Sequence, residues 1–250
     1  LILLGGSPSI GQGGIVTRSD YNRWAEAYAT ANAEGFFNAW YEKPAMLRML
    51  GDPTGQRILD VGCGSGPTAA ALTRQKADVS GFDVSAAMIE IARRSLPAAD
   101  LRVHDLADPL PWADATFDTV VASLVLHYLA DWTAPLSELR RVLTPGGRLL
   151  VSVNHPGAFP IVHPDLEYFG ITEYTEDYDF AGTSVDLTFF HRPLSAMCAA
   201  FAGAGFRIVG IHEPPADPDT PLEKLPPGLQ PGEQFIGFLF FDLELVRALL

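Results

Sequence analysis

The sequence predicts an α/β fold built on a mostly parallel sheet, and three observations carry that expectation. Short runs rich in Ile, Leu and Val alternate with helix-like stretches between residues 57 and 155, a rhythm that favours parallel strands with right-handed crossovers. In "RILDVGCGSGPTAAAL", residues 57–72, one such run leads straight into Gly62, Gly64 and Gly66. Glycines there let the chain turn tightly and let a ligand approach the backbone. The composition, 250 residues with 48% hydrophobic and 19% charged, suits one large packed domain.

The elements follow in order. Residues 1–17, "LILLGGSPSIGQGGIVT", read as a flexible leader, because the apolar tetrad lacks the basic start of a signal peptide. Residues 18–50 read as a helical lid. Ser19 or Asp20 caps a first helix whose Tyr21, Trp24 and Tyr28 form an aromatic stripe, and Pro44 marks a break or fresh start. Within the core, 57–155, the strands are "RILDV", "ADVSGFD", "LRVHD", "FDTVVASL" and "RLLVSVN", with helices opening near Pro67, Ser85 and Trp132. "TPGGR", 144–148, turns the chain out of the last of these helices. Residues 156–191 break the alternation and read as a hairpin-like lid insertion, two irregular strands joined near Ala181-Gly182. Residues 192–250 resume the pattern, with a helix, the strand "FRIVGIHEP", a loop holding seven prolines between 214 and 231, and "FIGFLFFDLEL" antiparallel to that strand.

Charge narrows the function. Thirty acidic residues against 17 basic give a formal charge of −13, which repels a nucleic-acid backbone. No apolar run reaches the roughly 18 to 20 residues that span a membrane. Cys63 and Cys198 match no zinc or redox spacing, so no metal is expected, and a reducing cytoplasm is the expected compartment.

The chemistry sits at the strand ends. The spacing G-x-G-x-G followed by Pro67 departs from the dinucleotide pattern G-x-G-x-x-G, which disfavours a nicotinamide-dependent oxidoreductase. Asp83 ends the second strand, where a carboxylate accepts from both ribose hydroxyls. Asp105, after the third strand, can accept from an exocyclic adenine amine. Asp60 lies inside the first strand and needs a partner, which an ammonium group would supply. Together these groups describe a nucleoside joined to an amino acid.

Asp60-x-Gly62-x-Gly64-x-Gly66, Asp83, Asp105, "FDTVVASLVLHYLADW" and "VLTPGGRLLVSV" resemble the S-adenosylmethionine-dependent methyltransferases of the Rossmann-like class, in particular the small-molecule type 11. The resemblance is strong over about 57–155 and looser beyond. It implies a seven-stranded sheet whose last strand is antiparallel, and S-adenosyl-L-methionine as cofactor. It also implies that the three glycines hold the methionine and ribose, Asp83 the ribose hydroxyls, and Asp105-Leu106 the adenine. Val84 and Met88 would flank the base or serve as ordinary core. Ser123 would face the methionine through its backbone, with Tyr28 over the cofactor.

The expected reaction is methyl transfer to a small organic acceptor, with oxygen favoured over nitrogen. The competing reading is a protein that binds S-adenosylmethionine without transferring methyl. A hydroxyl acceptor gains from a general base, and His155, just past the fifth strand, is the first candidate, with His127 the second. Either histidine can instead be structural. Trp24, Phe37, Tyr41, Phe159 and Tyr178 are candidates for an aromatic acceptor wall or for plain core packing.

Overall fold

The computed structural model describes residues 8–9, 22–180 and 183–246. Its centre is a seven-stranded sheet of β2 (Arg57–Val61), β3 (Asp78–Asp83), β4 (Asp100–Val103), β5 (Phe117–Ser123), β6 (Leu143–Asn154), β9 (Phe206–His212) and β10 (Phe238–Leu245). The spatial order is β4-β3-β2-β5-β6-β10-β9. All neighbours are parallel except β10, which runs antiparallel to both β6 and β9. This is the Rossmann-like arrangement that the resemblance implies, including its antiparallel last strand.

Strand periodicity explains the two cores. Along β2, Ile58 points to one face and Leu59 and Val61 to the other, and Val121 and Leu150 separate from their neighbours in the same way. Leu59, Val120 and Leu149 pack under α5 (Thr133–Val142) and α7 (Leu194–Gly203), against Leu136, Leu139 and Phe201. Ile58, Val121 and Leu150 pack under α2 (Lys43–Leu50), α3 (Pro67–Arg74) and α4 (Ala86–Ser95), against Met46, Leu72 and Ile89. Ser85 caps α4 by accepting the Met88 N–H at 3.2 Å.

Several elements differ from the sequence expectation. The helix α1 (Ala25–Glu34) starts after Trp24, and the stripe member Tyr21 and the caps Ser19 and Asp20 lie outside the described residues. The chain then winds as a π-helical segment, Phe36–Glu42, before α2, with the Lys43 N–H donating to the Asn38 carbonyl. "TPGGR" lies within β6 as an irregular stretch, because the pairing steps from Phe117–Leu143 to Thr119–Arg148. The insertion is a regular hairpin of β7 (Thr172–Phe180) and β8 (Thr183–His191), paired residue for residue. Its joint, Ala181-Gly182, lies outside the described residues, as does most of the leader. Pro8–Ser9 of the leader forms β1, a third strand alongside β7. Phe180, Val185, Leu187 and Phe189 of the hairpin pack with Trp24 and Tyr28, which fixes this sheet over α1. Among the described residues no helix is long and apolar enough to cross a membrane.

β2 is flanked by β3 on one side and β5 on the other, so the strand order reverses there. In such sheets a crevice opens beyond the carboxyl ends of the two central strands. The hairpin and α1 roof that crevice.

Candidate active site

A cavity of about 220 Å³ occupies the crevice. The glycine loop forms its floor. At Gly62, φ is +63°, and an added Cβ would stand 2.6 Å from Val125 Cγ2, so no larger residue fits. Gly64 has φ +53°, and a Cβ there would meet nothing within 4 Å, so its open side is the cavity itself. Asp83 holds this loop: Oδ2 accepts the Gly64 N–H at 3.0 Å and Oδ1 the Ser85 N–H at 2.8 Å. Burial raises its carboxyl above the usual range, and the two backbone donors oppose that shift. Gly66 is not in the cavity wall; it caps α3, packed against Ala92.

Two buried acids stand beside the floor. Asp60 is 1% exposed, and its Oδ2 has no hydrogen-bond partner. Burial, and then the charge of Glu42, push its carboxyl up to about 8. Glu42, 3% exposed at the end of the π-helical segment, accepts the Ser152 hydroxyl at 2.6 Å and is also raised by burial. Lys43 lines the same wall. Sequence reading missed Glu42 and Lys43. The available signal was a carboxylate placed within the aromatic run "FFNAWYEKP".

At the far end Asp105, Leu106, Val84 and Met88 line the cavity, with Asp105 Oδ1 accepting the Ala107 N–H at 2.9 Å. Ser123, closing β5, and Tyr28, on α1, line it as well. The Ser123 hydroxyl stands close enough to Glu42 to lower its carboxyl, and His104 Nε2 is a further buried atom on this cavity without a hydrogen-bond partner among the described residues. A paired-acid end and a distant polar end fit a molecule with an ammonium group at one end and a heterocycle at the other.

The remaining candidates lie elsewhere. Tyr41 is fully buried among Phe36, Phe235 and Phe238, donates to the Phe238 carbonyl at 3.3 Å, and has its phenol pushed up to about 12 by burial. Phe37 packs on Phe36, Phe235 and Phe238 in the same cluster. Trp24 stacks on Phe180 at 5.7 Å, and Tyr178 donates to Glu176 at 2.7 Å. Both therefore act as hairpin packing and not as acceptor wall. Phe159 stacks on His191 at 3.8 Å.

Neither histidine proposed as base reaches the cavity. His127 is buried, its Nδ1 accepts the Asn154 N–H at 3.1 Å, and burial pushes its imidazole down to about 3. His155 Nδ1 accepts the Gly157 N–H at 2.9 Å, and its Nε2 meets Glu213 at 2.8 Å. Both face a separate chamber of about 20 Å³ behind Phe190, shared with Phe159. His155→Ala is therefore expected to keep turnover within about threefold of the wild type. Stability should fall by about 1 to 3 kcal/mol, because the imidazole is largely buried and its loss leaves the Gly157 N–H unpaired. A 100-fold loss of turnover with normal folding would return His155 to the chemistry.

A model of the methyltransferase domain family matches residues 59–151. The chain is 34% identical to the demethylmenaquinone methyltransferase of Tropheryma whipplei over 57% of its own length and 61% of that protein. It thus spans about three fifths of that relative's length. It is 32% identical to the ubiquinone/menaquinone biosynthesis C-methyltransferase of Desulfotalea psychrophila, over 67% of this chain and 71% of that one. An S-adenosylmethionine-dependent methyltransferase structure from Mesorhizobium loti superposes with a TM-score of 0.59 at 25% identity, covering 80% of this chain and 96% of the other. The chain belongs to the S-adenosylmethionine-dependent methyltransferases, and S-adenosylmethionine is its cofactor.

Proposed function

We propose that this chain transfers a methyl group to a small, electron-rich aromatic acceptor of the hydroquinone class, at a ring carbon. One observation carries the reading: the cavity has two unlike sides. The floor holds the glycines and acids, whereas the wall supplied by α1 and β8 brings Tyr28, Asn32, Thr188 and Phe190. That wall contains no histidine or carboxylate among the described residues.

S-adenosylmethionine supplies an electrophilic methyl group on a positively charged sulfur. The chain's residues bind and orient. Asp60 and Glu42 face the ammonium and Lys43 the carboxylate of the methionine part. Asp83 takes the ribose hydroxyls, Asp105 the adenine amine, and Val84, Met88 and Leu106 the faces of the base. The roof of α1 and β8 excludes water and holds the acceptor in line, which is most of what a displacement at sulfur requires.

An oxygen acceptor served by His155 is not supported, because His155 faces another chamber. With no histidine in the roof, a nucleophile that activates itself is favoured. A hydroquinone does so: its own hydroxyl loses a proton to water and feeds electrons to the ring carbon, and that carbon, once methylated, would lose its hydrogen as a proton to water, which restores the aromatic ring. The names of the quinone-methylating relatives point to the same class. The free thiols of Cys63 and Cys198 agree with action in the cytoplasm.

The test incubates the protein anaerobically with methyl-labelled S-adenosylmethionine and 1,4-naphthohydroquinone. Label is expected on a ring carbon. Label recovered only as an O-methyl ether, or a cofactor that binds without transfer, overturns the reading.

A further inference from the structure

Asn32 and Asn38 form a carboxamide pair in the roof of the cavity, with Asn38 Nδ2 donating to Asn32 Oδ1 at 2.8 Å. Local structure brings them together. Gly35 ends α1 with an extended backbone, and its own N–H closes on the Ala31 carbonyl at 2.7 Å. The chain then re-enters the π-helical segment, which turns Asn38 back toward the last turn of α1. Asn32 lies one helical turn beyond Tyr28, so the two share the face that looks into the cavity.

The pair has hydrogen-bonding capacity left over. Each carboxamide carries two N–H donors and an oxygen with two lone pairs, and their mutual bond consumes one donor and one lone pair. Exchanging O and N in both side chains leaves the same inventory. A donor and an acceptor therefore stand side by side in a half-buried wall that is otherwise largely aromatic. The Thr188 hydroxyl nearby is already bonded to Thr175 across the hairpin at 3.0 Å.

We propose that the Asn32–Asn38 pair is the polar anchor of the acceptor. It hydrogen-bonds a ring hydroxyl or carbonyl while Tyr28 and Phe190 hold the ring. This rests on the reading of the roof as the acceptor side, and it names the feature selected there: an aromatic ring bearing an oxygen that donates or accepts. Carboxamides are neutral, so they select a hydroxyl or carbonyl by geometry and unpaired groups, and they reject a ring whose oxygens are blocked.

The experiment measures binding of two probes to the protein saturated with S-adenosylhomocysteine, under anaerobic conditions. 1,4-Naphthohydroquinone should bind at least about tenfold more tightly than 1,4-dimethoxynaphthalene, whose oxygens cannot donate. In Asn32→Ala and in Asn38→Ser that ratio should fall to near one. Affinity for S-adenosylhomocysteine should stay within about twofold, which also reports that each variant is folded. A ratio unchanged in both variants, equal binding of the probes by the wild type, or no binding of either overturns the proposal. A preserved ratio in the wild type, lost in the variants, supports the anchor even where the methyl product is an ether, an outcome that overturns only the ring-carbon reading.

Discussion

Asp83→Ala is expected to weaken S-adenosylhomocysteine binding by roughly 30- to 1000-fold, the worth of two hydrogen bonds to a charged group at about 2 to 4 kcal/mol. The structure adds a second route to that loss. The same carboxylate holds the Gly64 and Ser85 amides at 3.0 and 2.8 Å, so its removal also frees the glycine loop that forms the cavity floor. Asp83→Asn separates the two contributions, because it keeps one oxygen for the backbone while losing the charge. It should fall between the wild type and the alanine variant. Calorimetric titration decides the matter, and an unchanged affinity in Asp83→Ala would show that the ribose is held elsewhere.

The floor of the site was readable because its signals are local. A strand, Gly62 and Gly64 just past it and an acid at each of two later strand ends need only parallel pairing to converge, and the pairing follows from the alternation of elements; Gly66, of the same loop, caps α3 instead. The roof was not readable, for two physical reasons. "FFNAWYEKP" looks like ordinary helix, but it winds as a π-helical segment whose bonds run from residue 38 to residue 43. Ordinary helical periodicity already puts Asn38 and Glu42 on one face, but only the wider turn also brings Lys43, five residues on from Asn38, round to the cavity that all three line. The aromatic candidates failed for a different reason: spacing alone cannot distinguish Tyr28, which lines the cavity, from Tyr41, which lies in the core.

His155 illustrates a third limit. Sequence places it past the end of β6, at the correct edge of the sheet. The crevice opens between β2 and β5, however, and β6 is one strand further out. A strand-end position fixes the edge of the sheet but not the direction of the side chain, and here both imidazole nitrogens are turned to Gly157 and Glu213.

Asp60→Asn is expected to stabilise the cofactor-free protein and to weaken the cofactor, two opposite effects with one cause. Burial, with Glu42 close by, raises the Asp60 carboxyl from 3.8 to about 8, so the folded state resists its ionisation. For a carboxyl raised on folding, the sign is opposite to that of a salt-bridged acid. The protein bears no cost at pH below the unfolded value near 4, and stability falls as pH rises toward about 8. The slope in that window approaches about 1.4 kcal/mol per pH unit. Asparagine cannot ionise, so at pH 7 the free variant should melt several degrees above the wild type, with the difference vanishing near pH 4. An ammonium group brought beside Asp60 and Glu42 reverses the preference, because it favours the ionised acids. Asp60 and Glu42 titrate as a pair, with Lys43 on the same wall and the Asp83 charge opposing ionisation of Asp60. Between pH 6 and 7, where the cofactor's amine keeps its own proton, binding should therefore release about one proton and tighten as pH rises. Titrations in two buffers of different ionisation enthalpy count that proton. In Asp60→Asn the release should shrink and the affinity should fall. A variant that melts like the wild type at pH 7 and binds S-adenosylhomocysteine with equal affinity and equal proton release would mean that Asp60 does not face the ammonium.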